Sequence, residues 1–552
     1  MGETRRISGH AGLHAVEVAR GYGVETMWTL SGAHVFPLYD GAVKSEPPLR
    51  LLDVRHEQTA VFGAEGTAKL TRTPGLAVVT AGPGVTNAVS GIATSYFNGT
   101  PLVVYGGRAP KYRWGSGLLQ ELDHPPLVRE VTKHAGTVYG ADQVAAASDD
   151  AFRTALSPHQ GPVFLDVPMD DLYGQAETEL PPPAPVDRLA PDPDQVAAVA
   201  ALLAAAERPV FVFGSDIWLC GAEEQARAAA EALRVPVVAN GQGRGILPHG
   251  HELLATRARG AAFGEADLVV VVGAPLDFRL GFGVFGGRDG AAPAPVVHIA
   301  DSPGQLSSHA ATAAVAAGDL GLILAALADA KGAGGPGARA SWCERLAEAV
   351  REAAAKDAGI LLSDADPVHP ARIYHELNRQ LDDDAVVIGD GGDFVSFAGK
   401  YVEQHRPGTW MDPGPYGCLG TGLGYALAAR IARPSAQVVL LLGDGAAGFS
   451  LMDVDTAVRH RLPMVMVVGN NGIWGLEKNP MRFLYGYDVA ADLAPQTRYD
   501  EVVRALGGGG ELVTRPGDIA PALRRAFAAQ VPYLVNIATD PDAAYPRSTH
   551  GI

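Results

Sequence analysis

A carboxylate and an amide oxygen near the C-terminal end have the types and spacing to hold a divalent cation. They lie in the run VVLLLGDGAAGFSLMDVDTAVRHRLPMVMVVGNNGIWGLE at 438–477, as Asp444 and Asn471. With one free backbone carbonyl they make a set of hard oxygen ligands, which suits Mg²⁺ carrying a diphosphate. Gly443 and Gly445 flank the carboxylate and let backbone N–H groups approach such a ligand closely. The segment that follows reads as a helix, whose N-terminus favours anions. Two apolar runs must position these groups, 438–442 and 463–468, each the length of a buried parallel strand. Two strands joined by one crossover helix lie parallel in one sheet, so Asp444 and Asn471 converge on its carboxyl edge. A lone GDG turn fits any βαβ unit. Both halves at this spacing argue for more.

The N-terminal third alternates helical patterns with short apolar strands, predicted at 26–30, 51–54, 75–80 and 101–105. Glu57 follows the second of these, in Arg55-His56-Glu57-Gln58. Taken alone it is a helix-start carboxylate favoured by the macrodipole. The turn Ser31-Gly32-Ala33-His34 follows the first strand, and Ala81-Gly82-Pro83-Gly84 the third, with Asn87 opening a helix. Further strands are predicted at 209–213, 267–272, 295–300 and 385–388. Strands alternating with helices throughout imply α/β domains built on doubly wound parallel sheets.

With 552 residues the chain is too long for one core, and roughly three domains are expected. Proline-rich 181–185 and glycine-rich 331–336 read as linkers, giving domains at 1–180, 187–335 and 365–540 and a tail at 541–552. A net charge of −17 argues against nucleic acid as a partner. Cys220, Cys343 and Cys418 are scattered, so neither zinc nor a disulfide framework is indicated. The start lacks a signal-peptide core, and no run of about 18 apolar residues is present, so a cytoplasmic protein without a membrane partner is expected.

GDG followed by NN resembles the diphosphate-binding motif of thiamine diphosphate enzymes. HEQTA followed by AGPGVTN resembles the pyrimidine-binding domain of the acetolactate synthase branch, and TRARGAAFGEADLVVVVGAPLDFRLGFG the middle domain of oxalyl-CoA decarboxylases and 2-hydroxyacyl-CoA lyases. The resemblance implies pyrimidine-binding, central nucleotide-binding-like and diphosphate-binding domains, with thiamine diphosphate and Mg²⁺ as cofactors. Asp444, the Asn471 side chain and the Ile473 carbonyl would hold the metal. Glu57 would hydrogen-bond the aminopyrimidine, with Gly84, Asn87, Gly443, Gly445, Ala446 and Trp474 around the cofactor. The Gly417 carbonyl would accept from its amino group and Leu419 would prop it into a V shape. Gln120 would lie beside the reacting centre, and Glu477 would pass protons to the substrate. Arg259, Arg279 and Asp301 would contact ADP or CoA in the central domain, which in acetolactate synthases takes FAD. The family builds each site from two subunits, so a homodimer or tetramer is implied. In acyl-CoA-using relatives the tail folds over the site, which would make Tyr545 and Arg547 parts of a lid.

On this resemblance the first expectation is a 2-hydroxyacyl-CoA lyase, releasing formyl-CoA and an aldehyde or ketone. The alternative is an acetolactate synthase or a related 2-oxoacid carboligase. Gly475-Leu476-Glu477-Lys478 replaces the GMVxQWQ-like run of acetolactate synthases, which favours the lyase. The paired histidines of pyruvate decarboxylases are missing, since Tyr105-Gly106-Gly107-Arg108 follows that strand. A non-catalytic regulatory paralogue is a third reading, opposed by intact Glu57, Asp444 and Asn471.

Overall fold

The computed structural model describes residues 5–180, 182–183, 186, 188–287, 292–330, 337 and 339–546. The predicted linkers and Arg547 fall wholly or largely outside them. Three parallel sheets alternate with helices, and a small antiparallel pair joins Arg5–His10 to Gln175–Leu180. The first sheet runs Arg50–Asp53, Thr26–Thr29, Gly75–Val79, Leu102–Arg108, Pro162–Pro168, His134–Thr137. The third runs Trp410–Met411, Val386–Asp390, Val438–Gly443, Val465–Asn470, Tyr533–Ala538, Gly509–Val513. Counted in chain order within each sheet, both follow 2-1-3-4-6-5. The middle sheet, Val237–Ala239, Pro209–Phe213, Leu268–Val272, Val296–Ala300, Ala314–Ala317, follows 2-1-3-4-5.

Strands such as LVVVV at Leu268–Val272 are buried throughout, as both faces of a covered parallel sheet require. In each sheet the winding reverses between its first and third strands. Ligands bind in the crevice outside the carboxyl ends at such a point. The three crevices open beyond Thr29 and Val79, beyond Phe213 and Val272, and beyond Asp390 and Gly443.

The predicted strands lie within a residue or two of the observed ones, except that the one predicted at 101–105 runs on to Arg108. The 463–468 strand begins at Val465 instead, because Pro463 has no N–H to give a ladder. The predicted single crossover helix is in fact two, Asp444–Ser450 and Val454–Arg459, split by a 3₁₀ turn. The split puts Asp453 against the first domain, where it accepts from Arg55 N at 2.8 Å and Thr59 Oγ1 at 2.6 Å. Among the described residues no helix is long and apolar enough to cross a membrane.

Helix Glu57–Thr71 meets all three sheets' domains. Its face toward helix Thr421–Ala432 is closed by glycines: a Cβ on Gly424 would lie 2.6 Å from Phe62 Cβ, and one on Gly66 3.0 Å from Ala428 Cβ. A Cβ on Gly63 would strike the Trp28 ring at 2.2 Å. Inside this contact Lys69 Nζ pairs with Glu65 at 3.1 Å and donates to Tyr425 Oη at 3.1 Å. Glu65 also accepts from Asn98 Nδ2 at 2.8 Å. The Lys69 carbonyl accepts from Trp218 Nε1 of the middle domain at 2.6 Å. Removing one partner of a buried ion pair leaves the other uncompensated. Lys69→Met is therefore expected to cost about 3–5 kcal/mol, seen as a lower denaturation midpoint. Glu65→Gln combined with Lys69→Met recovers part of that loss.

Candidate active site

At the third sheet's crevice, Asp444 begins the helix that follows strand Val438–Gly443 and is 4% exposed. Its Oδ2 accepts from Gly472 N at 2.6 Å and its Oδ1 from Gly445 N at 2.9 Å. Asn471 Oδ1 accepts from Ile473 N at 3.2 Å, which tightens the turn after the next strand. Burial pushes the Asp444 carboxyl up to about 6 despite these backbone donors. A buried carboxylate facing an amide-bearing turn suits a hard divalent ion. Trp474 packs on Gly445, where a Cβ would meet its ring at 2.4 Å, and this contact holds the two turns together. Ala446 and Ile473 are buried beside them.

The loop carrying Gly417 and Leu419 is held from below by Asp390. This fully buried carboxylate accepts from Gly420 N at 3.1 Å and Gly422 N at 2.8 Å, and burial pushes it up to about 7. Asp390 was legible in principle. It ends a strand in the run GDGGD, which repeats the GDG pattern around Asp444. Gly417 takes φ +68°, which a glycine adopts without strain. The Leu419 carbonyl accepts from Gln58 Nε2 at 3.3 Å, which ties this loop to the residue beside Glu57 in the same chain. Tyr545 of the tail donates its N–H to Asp393 Oδ2 at 3.0 Å and sets its ring edge-on to Phe397 at 5.2 Å.

On the first sheet, Glu57 is 7% exposed and accepts from Asn87 Nδ2 through Oε2 at 3.0 Å. Asn87 and Gly84 share helix Pro83–Phe97, which starts at the crevice. A Cβ on Gly84 would lie 2.8 Å from the Thr80 methyl group. Gln120 sits on an irregular loop with φ +60°, and its Oε1 accepts from Thr80 Oγ1 at 3.4 Å. Behind Thr80 lies His34, whose Nδ1 is 3.1 Å from the same hydroxyl. Burial holds His34 below its usual pKa, and the Leu119 carbonyl lies beside its ring. Gly82 N donates to His124 Nε2 at 2.9 Å, and Asp166 bonds both His124 Nδ1 and Arg108 at 2.8 Å.

Glu477 is not drawn into either crevice. It lies exposed in the first turn of helix Gly475–Tyr485, while its neighbour Lys478 is buried and paired with Asp488 and Asp492. In the middle domain Arg279 pairs with Asp277 at 2.7 Å, and Arg259 donates to the Arg279 carbonyl. Asp301 pairs with His159 of the first domain at 2.8 Å. The cavity at this sheet's crevice, lined by Gly214, Asp216, Gly273 and Arg279, measures about 30 Å³. A water takes about 10–15 Å³ on this scale, and small-molecule sites start near ~300 Å³. Of the three predicted contact residues, Arg279 lines this cavity, while Arg259 reaches the Arg279 carbonyl and Asp301 faces His159. A larger concavity of about 700 Å³, beside His134 and Tyr139, includes none of the predicted site residues.

Residues 10–127 match the N-terminal TPP binding domain of thiamine pyrophosphate enzymes, 196–327 their central domain and 390–537 their C-terminal TPP binding domain. The chain is 47% identical over 545 residues to the acetolactate synthase large subunit IlvG of Mycobacterium tuberculosis, covering 98% of each chain. It is 32% identical over 554 residues to 2-hydroxyacyl-CoA lyase 2 of Homo sapiens, covering 92% of this chain and 86% of the relative. In fold it is similar to a thiamine diphosphate-dependent 4-hydroxybenzoylformate decarboxylase of Rhodococcus jostii, with TM-score 0.82 and 24% identity over 97% of this chain and 100% of that one. Motifs, sheet winding and full-length similarity agree, and the chain belongs to the thiamine pyrophosphate (thiamine diphosphate) enzyme family.

Proposed function

We propose that the protein is a thiamine diphosphate-dependent carboligase of the acetolactate synthase type. It would decarboxylate a 2-oxo acid and join the remaining acyl unit to a second carbonyl compound, so that two pyruvates give acetolactate and CO₂. The observation that carries this reading is the 47% identity with an acetolactate synthase large subunit across 98% of both chains. The lyase expectation becomes the second reading, because the 2-hydroxyacyl-CoA lyase relative is 32% identical against 47% for the acetolactate synthase. One observation keeps it in view: the GLEK sequence after the NN turn.

When bound, thiamine diphosphate supplies an acidic ring carbon that can add to a carbonyl and hold the electron pair left by decarboxylation. The protein's part is positioning and proton transfer. With Oε2 held by Asn87, Glu57 would offer Oε1 to a ring nitrogen of the cofactor, where it could hold or release a proton. Asp444, Asn471 and the Ile473 carbonyl would hold Mg²⁺, and the backbone at Gly443, Gly445 and Ala446 would approach the diphosphate. The Gly417 carbonyl and the Leu419 side chain would set the angle between the cofactor's rings. Gln120 would face the substrate.

Each part of this reading has its own measurement. Glu57→Gln is expected to lower kcat about 10²–10⁴-fold while melting like the parent protein. Asp444→Ala is expected to need far more Mg²⁺ for thiamine diphosphate binding, followed by fluorescence quenching. For the substrate, pyruvate and a 2-hydroxyacyl-CoA are offered in parallel to purified protein with thiamine diphosphate and Mg²⁺. Acetolactate formation that survives Glu477→Ala supports the carboligase. Release of formyl-CoA that Glu477→Ala abolishes, with pyruvate untouched, replaces it with the lyase.

A further inference from the structure

We propose that His34 and Thr80 are positioning residues that fix the direction in which Gln120 presents its side-chain amide to the substrate. The inference rests on the proposed function, in which Gln120 faces the substrate. His34 and Thr80 follow the first and third strands of the first sheet, so they flank its crevice. The strand leading to Glu57 lies on the other side of the His34 strand.

Three polar groups form a chain here: His34 Nδ1 to Thr80 Oγ1 at 3.1 Å, and Thr80 Oγ1 to Gln120 Oε1 at 3.4 Å. A hydroxyl has one proton, a neutral imidazole has one N–H, and an amide oxygen only accepts. The bond to Oε1 takes the hydroxyl proton of Thr80. In this arrangement the Thr80 oxygen accepts from His34 Nδ1–H, and the chain runs from His34 to Gln120. With its oxygen occupied, Gln120 turns its NH₂ group away from Thr80 as a donor. A donor is what a substrate oxygen needs as negative charge gathers on it.

The backbone around the chain leaves little slack. A Cβ on Gly32 would lie 2.3 Å from Thr80 Cβ, one on Gly107 2.4 Å from His34 Cβ, and one on Gly82 2.9 Å from Gln120 Cβ. These approaches seat the three side chains from three strand ends. Gln120 itself stands on an irregular loop between exposed Leu119 and half-buried Glu121, so the chain through Thr80 is its link to the rigid sheet.

Two readouts test this on the full-length protein. The first is hydrogen–deuterium exchange of peptides covering the 111–121 loop, which needs no substrate. Thr80→Val and His34→Ala are expected to speed exchange there, while Thr80→Ser and His34→Asn keep the parent rate. The second is steady-state kinetics with thiamine diphosphate and Mg²⁺ saturating. Thr80→Val and His34→Ala are expected to lower kcat about 10²-fold with cofactor affinity unchanged, and the conservative pair to restore most of it. Unchanged loop exchange in Thr80→Val and His34→Ala overturns the inference, as does parent-level kcat in both. Equal loss in all four variants, with weakened cofactor binding, also overturns it, since that marks a merely structural role. A parent protein inactive on both pyruvate and 2-hydroxyacyl-CoA defeats the proposed function instead, and the exchange experiment still decides the chain.

Discussion

Close packing along helix Glu57–Thr71 is the constraint on which the remaining geometry depends. Glycines on it and on helix Thr421–Ala432 let the two backbones approach without side chains between them, and a buried Glu65–Lys69 pair sits inside the contact. The same helix begins with Glu57 and, near its other end, accepts the Trp218 indole of the middle domain. The candidate carboxylate Glu57 is thereby fixed to the element that joins the domains. Interiors pack densely enough that a methyl's worth of displacement is felt nearby. Gln58, one residue from Glu57, reaches the Leu419 carbonyl because of this approach.

The functional edges contain carboxylates that burial makes costly to ionise. Asp390 is fully enclosed under the 414–420 loop, and Asp444 is nearly so, each supported chiefly by backbone N–H groups. Such arrangements lower the stability of the empty protein and concentrate where function requires them. The two serve different ends. Asp390 shapes a loop from behind, while Asp444 faces the turn where a cation's charge would offset its desolvation.

Much of this was legible in the sequence, for identifiable reasons. Strands buried on both faces read as unbroken apolar runs, so the strands and the parallel α/β class followed from pattern alone. Glycine turns around Asp444 and Asn471 marked one crevice because their spacing matches one strand–helix–strand unit. What remained hidden depends on long-range contact. The split crossover helix follows from Asp453 reaching the first domain, nearly 400 positions away in the chain. Arg259 and Asp301 had suitable chemistry for a phosphate or ribose, but their partners, the Arg279 carbonyl and His159, lie 20 and 142 positions away, whereas Arg279 pairs locally with Asp277. Glu477 was placed on the right helix, and only the fold shows it turned to solvent. His34 and Thr80 looked like ordinary turn and strand-end residues until three strand ends were brought together.

The first and third sheets share one winding, 2-1-3-4-6-5. One cradles the residues suited to an aromatic ring and the other those suited to a charged diphosphate. The architecture is thus indifferent to which end of a ligand it receives, and the distinction rests in loops of a few residues at equivalent corners. Such a chain resembles a sentence written twice in the same grammar with different nouns. Diversification can proceed by rewriting those short loops while the sheets, which hold most of the folding information, stay as they are.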